Sequence, residues 1–228
     1  MSISIVLVEP VRAVNVGAAA RAMKTMGFEQ LILVSSQLHL SEEAHWVAHG
    51  STDVLDTTVC IESVTELRSQ FDLLIGCTAR ERGHSRTYLN ADELNTRLRK
   101  RQQNQRVALV FGRESTGLTN EELNCCDLFS YIPMAGDYPS MNLGQAVMVY
   151  CYALSALDTS LGAQPQAAMA GQMHALQDKA GDLLNKLVSP PDEKLLQWLE
   201  DGIALLGERD IKMAHQLLND VVKKLKVS

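Results

Sequence analysis

Short β-rich runs alternate with helical stretches along residues 1 to 157, and few folds accept that alternation. "SISIVLVE", "QLILVSS", "TTVCIES", "FDLLIGCTA", "RVALVFG" and "LFSYIPM" read as strands. Helices are expected in "GAAARAMKTM", which Gly27 would stop, in "SEEAHWVAHGS" opened by Ser41, and in "VTELRSQ". Three more follow in "NADELNTRLRKR", in "TNEELNCC" behind a Thr119–Glu122 capping box, and in "NLGQAVMVYCYALSAL". Strands separated by helices build a parallel sheet covered on both faces, an α/β class. Ligands of such sheets bind beyond the carboxyl ends of the strands. The loops after "IVLV", "LLIG", "LVFG" and "YIPM" are therefore where function is expected.

Of these, "FGRESTGLT" has the glycine spacing of a phosphate-binding loop, but Leu118 stands where a lysine would reach the phosphates. A nucleotide-dependent enzyme is excluded on that residue. Gly112 and Gly117 instead let backbone turn tightly against a ligand, with Glu114 at the strand end to orient a polar partner. A second loop, "VNVGAAAR", sets Asn15 as an N-cap, Gly17 behind it, and Arg21 farther along the helix, where it can project toward the same crevice. A third, "GDYPSMNLGQAV", presents Ser140 and Asn142 before a helix whose free N–H groups suit a carboxylate. No Ser-His-Asp set and no pair of catalytic carboxylates is evident, so the polar groups fit binding a zwitterion and placing a nucleophile.

The chain carries a net charge of −6, which argues against a general nucleic-acid coat. Residues 80 to 113, however, hold nine Lys/Arg, including Arg80, Arg82, Arg86 and Arg113, against three acids. A local basic stripe on an acidic protein fits a polyanion bound at one place. Five cysteines show no zinc spacing and read as free thiols of a reducing compartment. His45 and His49 lie one helical turn apart without a third ligand, so no metal is expected. The opening "MSISIVLVEP" reads as a strand rather than a signal peptide, and no apolar run is long enough to span a membrane. The expected address is the cytoplasm.

At the three loops the sequence resembles the SPOUT superfamily of RNA methyltransferases, in its SpoU/TrmH branch and nearest its TrmJ-like and LasT-like members. The family's N-x-G-x-x-x-R is matched by Asn15, Gly17 and Arg21, and its F-G-x-E-x-x-G-L by Phe111, Gly112, Glu114, Gly117 and Leu118. Its S-L-N-x-x-x-A is matched by Ser140, Met141, Asn142 and Ala146, with Met in place of Leu. The resemblance covers residues 1 to 157 and implies a parallel-sheet SPOUT fold with a C-terminal trefoil knot, acting as a homodimer in which two subunits build each active site. It implies S-adenosylmethionine as cofactor, resting on Cys77, Thr78, Ala79, Gly112, Ile132, Ser140, Met141 and Leu143. It further implies 2′-O-methylation of a ribose in tRNA, or in rRNA. Arg21 would act on the hydroxyl, and Asn15, Glu114, Ser140 and Asn142 would hold the site in place. On that reading Arg80, Arg82, Arg86 and Arg113 contact the RNA backbone. The competing reading is a knotted module that binds RNA or cofactor without catalysis.

Residues 158 to 172, rich in Ala, Gly and Gln, read as a linker to a helical extension at 173 to 228. There Met173, Leu176, Leu183, Leu184 and Leu187 form a stripe, Ser189 and Pro190 open a helix, and a last amphipathic helix begins near Ile211. Helices this short need a surface to pack on.

Overall fold

The computed structural model describes residues 1–79, 87–100, 105–135, 140–157, 167–187 and 192–225. Seven strands form one sheet: β1 (Ser2–Val8), β2 (Leu31–Val34), β3 (Val59–Ile61), β4 (Leu73–Thr78), β5 (Tyr88–Asn90), β6 (Arg106–Phe111) and β7 (Leu128–Tyr131). Their order is β3-β2-β1-β6-β4-β7-β5, and every pairing is parallel. The helices are α1 (Ala13–Met26), α2 (Glu42–Val47), α3 (Thr52–Asp56), α4 (Ala91–Arg99), α5 (Asn120–Asn124), α6 (Leu143–Leu154), α7 (Ala167–Leu187), α8 (Glu193–Ala204) and α9 (Glu208–Leu225).

The period-2 alternation of each strand divides the core. Ile3, Ile5 and Leu7 face one side, where α1, α4 and α6 cover them; Val6 and Val8 face the other, with Val64, Leu67, Phe71 and Leu123. Strand β6 lies between β1 and β4, and Val107 through Val110 are fully buried, as a central parallel strand requires. Strand order thus brings the ends of β1, β6, β4 and β7 side by side along one rim.

Several local expectations change. Helix α1 starts at Ala13 rather than Gly17, so Asn15 lies inside its first turn and is not the N-cap; Arg12 holds that position without a side-chain bond. The "VTELRSQ" segment is a 3-10 helix over Val64–Ser69, opened by a Ser63–Glu66 capping box. Strand β5 and helix α3, absent from the sequence reading, are too short to show a period. Residues 167–172 of the segment read as a linker are helical and begin α7. Helix α8 is capped by Asp192, whose side chain accepts from the Lys194 and Leu195 amides; Ser189 and Pro190 lie outside the described residues. Thr119 and Glu122 do form the expected box on α5.

The C-terminal helices have a small core of their own, Met173, Leu176, Ala180, Ile203 and Ile211. Leu187, expected on that stripe, is exposed. The tail also docks on the sheet domain: Ala204 is fully buried in the larger core, and Arg97 donates to the Leu205 carbonyl at 2.7 Å. The Asp201 carboxylate accepts the Thr87 amide at 2.8 Å. Among the described residues no helix is long and apolar enough to cross a membrane.

Candidate functional site

A cleft of about 500 Å³ opens where β4, β6 and β7 end, within the usual size of small-molecule sites. Strand β4 delivers Cys77, Thr78 and Ala79 to it, and the loop after β6 delivers Gly112, Arg113 and Glu114. Ile132 follows β7, while Ser140, Met141 and Leu143 precede or begin α6. All eight residues expected to hold the cofactor line this one cleft.

The β6 loop can bend back because its glycines carry no Cβ. A Cβ on Gly112 would sit 2.2 Å from the Gly117 carbonyl carbon, and Gly117 has φ +69°, the left-handed region that favours glycine. The Gly117 amide donates to the Arg113 carbonyl at 2.8 Å and closes the turn.

Three distant loops meet through one chain of hydrogen bonds. Asn142 Nδ2 donates to Asn15 Oδ1 at 2.9 Å, and Asn15 Nδ2 donates to Glu114 Oε1 at 2.7 Å. Glu114 also accepts the backbone amides of Val11 (2.9 Å) and Arg12 (3.2 Å). Partial burial pushes the Glu114 pKa up, but the hydrogen bonds from Asn15, Val11 and Arg12 outweigh it and leave the carboxyl below its ordinary value. Glu114 is therefore a fixed anion acting on structure.

Asn142 caps α6: its Oδ1 accepts from the Gly144 amide at 3.0 Å and the Gln145 amide at 3.4 Å. Two of the N–H groups expected to stand open for a carboxylate, those of Gly144 and Gln145, are thus taken by the cap itself, as an Asx side chain at that position dictates. Ser140, by contrast, is exposed on the cleft wall. Gly17 has a structural cause as well. A Cβ there would come within 2.2 Å of the Ala44 carbonyl oxygen, so the glycine allows α1 and α2 to touch.

Arg21, expected to project toward the same crevice, is exposed and not among the residues lining the cleft. Six residues beyond Asn15, it points to another side of α1, about 120° around the axis. Asn15, Glu114 and Asn142 are brought together; Arg21 is not. Of the arginines expected to meet RNA, Arg80, Arg82 and Arg86 lie outside the described residues. Arg113 is pinned by Glu9 and Glu122. Among the described residues no group of three or more His, Cys, Asp or Glu could hold a metal ion.

Tyr150 was missed by sequence reasoning. It is 1% exposed, lines the cleft, and donates through its hydroxyl to Ser130 Oγ at 3.0 Å; Ser130 in turn donates to the Leu89 carbonyl at 2.8 Å. Its ring meets Phe111 edge-on at 5.5 Å. The available signal was spacing: Tyr150 lies seven residues after Leu143, on the same face of α6. Burial raises the pKa of both the Tyr150 phenol and the Cys77 thiol, so the cleft floor is uncharged.

Fold and cleft together define an α/β domain with a ligand site beyond the carboxyl ends of a parallel sheet. More specifically, the chain belongs to the SpoU rRNA Methylase family, which matches residues 2–152. Residues 170–225 match the C-terminal domain of the tRNA/rRNA methyltransferase LasT. The protein called uncharacterized tRNA/rRNA methyltransferase LasT from Escherichia coli (strain K12) is 45% identical over 99% of both chains. The tRNA (cytidine/uridine-2'-O-)-methyltransferase TrmJ of Pectobacterium atrosepticum is 36% identical over 72% of this chain and 69% of its own. Among solved structures, a probable methylase family protein from Haemophilus influenzae Rd KW20 superposes with a TM-score of 0.64 at 29% identity, covering 99% of this chain and 97% of its own.

Proposed function

We propose that this protein is a cytoplasmic, S-adenosylmethionine-dependent RNA methyltransferase that modifies a ribose 2′-hydroxyl in tRNA, or in rRNA, as a homodimer. The observation that carries the reading is the cleft itself. Eight residues from four separate chain segments converge on it, in a chain of the SpoU family. Its uncharged floor and the Gly112 turn suit an adenosine ring and a cationic sulfonium, which an adjacent lysine would repel. Residues 1–157 would form the catalytic domain, joined through the segment at 158–172 to the helical extension at 173–228. Strand β7, the last in the chain, lies between the earlier β4 and β5, the arrangement a knotted C-terminal segment would need.

Bound in the cleft, the cofactor supplies a methyl group already activated on sulfur. What remains for the protein is placement and charge. Backbone of the three loops fixes the donor, and an in-line approach of the ribose oxygen lowers the barrier by several kcal/mol or more, roughly. The residues lining the cleft would hold S-adenosylmethionine, which would supply the methyl for the ribose 2′-oxygen, with the hydroxyl proton passing to solvent or an RNA phosphate. Arg21 would stabilise the developing alkoxide as a fixed cation rather than as a proton acceptor. Because Arg21 is exposed on α1 and does not line its own chain's cleft, it would serve the cleft of a second copy. Asn15, Glu114 and Asn142 hold the three loops in register, and Ser140 faces the ribose.

Arg21→Ala is expected to lower methyl transfer by about two orders of magnitude while calorimetric titration shows unchanged S-adenosylmethionine binding. Mixing that variant with a cleft-blocked Met141→Trp chain is expected to restore about a quarter of wild-type activity, through mixed dimers with one complete site. Wild-type turnover by Arg21→Ala would eliminate the mechanism. A protein that binds cofactor and RNA without transferring methyl would establish the non-catalytic module instead.

A further inference from the structure

Arg113 stands at the exit of β6 on the cleft rim with a carboxylate on each side. Glu122 accepts from Nη1 and Nη2, both at 3.0 Å. Glu9 takes the other edge, with Nε at 2.9 Å and Nη2 at 2.6 Å. The two partners are not equivalent. The Glu122 side chain is 16% exposed and also accepts the Thr119 amide at 2.8 Å, as part of the box that starts α5. The Glu9 side chain is 48% exposed, and among the described residues its carboxylate meets no donor other than Arg113.

Glu9 also sits in an unfavourable backbone conformation. Its φ is +43°, the left-handed region, at a residue that is not glycine. Such a conformation is unfavourable for a residue with a Cβ and persists only where surroundings impose it. Here it falls where β1 ends, one residue past Val8, at the rim where the cleft loops converge. One cation between two anions leaves a net negative charge at that point, which opposes an approaching polyanion.

We propose that the outer edge of the Arg113 guanidinium is a subsite for an RNA phosphodiester, and that Glu9 occupies it until RNA arrives. This rests on the RNA-methyltransferase reading above. A phosphate offers the two-oxygen face that the Arg113 edge already grips in Glu9, so the exchange keeps the fork geometry and both charge-assisted bonds. A solvent-exposed carboxylate is the partner that leaves at little cost, while the half-buried Glu122 keeps Arg113 aimed. Glu9 thereby discriminates: a polyanion that cannot set a phosphate at that edge gains nothing to offset the displaced ion pair.

The test is binding of unfractionated tRNA, and separately of rRNA, to the full-length protein at fixed salt, with S-adenosylmethionine titrated in parallel. Glu9→Gln is expected to tighten RNA binding by about three- to tenfold and to leave cofactor affinity unchanged. On an Arg113→Gln background the same substitution is expected to give no gain. A gain is not produced by damage to the fold, so structural failure cannot imitate it. Unchanged or weaker RNA binding by Glu9→Gln, or an equal gain without Arg113, would overturn the subsite while leaving the methyltransferase reading intact. Cofactor binding without any RNA binding, in wild type and variant alike, would remove the RNA reading and the subsite with it.

Discussion

Asn15 joins two loops that lie 99 and 127 residues further along the chain, donating to Glu114 and accepting from Asn142. It is 3% exposed, so both bonds are sheltered from water and the Asn15 amide is oriented by its partners. Glu114 carries the pH dependence of this junction. Its folded pKa lies below the unfolded value, so its contribution to stability is complete above the ordinary carboxylate range of about 4.3. That contribution is lost as pH falls through the lowered folded value. Melting temperature measured from pH 7 downward is expected to fall less steeply in acid for Glu114→Gln than for wild type. Parallel curves would show that Glu114 gains nothing from its three donors, Asn15, Val11 and Arg12. The sequence reading placed a carboxylate here to orient a polar partner, and the partner is Asn15. It could not show that Asn15 lies inside the helix rather than at its cap, because the two placements differ by a few residues of helix start, which local preference does not decide.

At the scale of elements, small residues set how closely helices approach. Gly17 lets α1 meet the Ala44 carbonyl of α2, and Gly144 lets α6 meet α1, where an added Cβ would sit 2.6 Å from that of Ala18. Gly17→Ala is expected to lower unfolding free energy by about 1–3 kcal/mol through overpacking, measured by chemical denaturation. A neutral result would mean the backbones part freely. The motif spacing made Gly17 and Arg21 visible together, yet their causes differ: one serves packing and the other is exposed. Spacing along a chain reports neither. The alternation of strands and helices was legible because each long element buries a face with its own period, as β1 and β6 do. Strand β5, three residues long at the sheet edge, has too few positions to show one. Tyr150 escaped because a buried aromatic on an apolar helix looks like core until the neighbouring loops are placed, and here it is both core and cleft floor.

For the whole molecule, the tail and the sheet domain form a joined surface. Asp201 of α8 holds the Thr87 amide and Arg97 of α4 holds the Leu205 carbonyl, so the extension grips both ends of the β5–α4 segment. Thr87 directly follows Arg86 in the chain, which couples the tail to the basic stretch by position. That stretch is less free than its composition suggested. Arg97 is bonded to the tail, Arg99 to Asn95, and Arg113 to two glutamates. On the proposed function, the cleft passes a methyl group to a sugar oxygen. The most direct test incubates the protein with methyl-labelled S-adenosylmethionine and RNA from cells lacking it, then digests the RNA to nucleosides. Label is expected in one or a few 2′-O-methylated nucleosides, and much less from the Arg21→Ala protein. Label on a base, or no label in RNA despite cofactor binding, would contradict the proposed function.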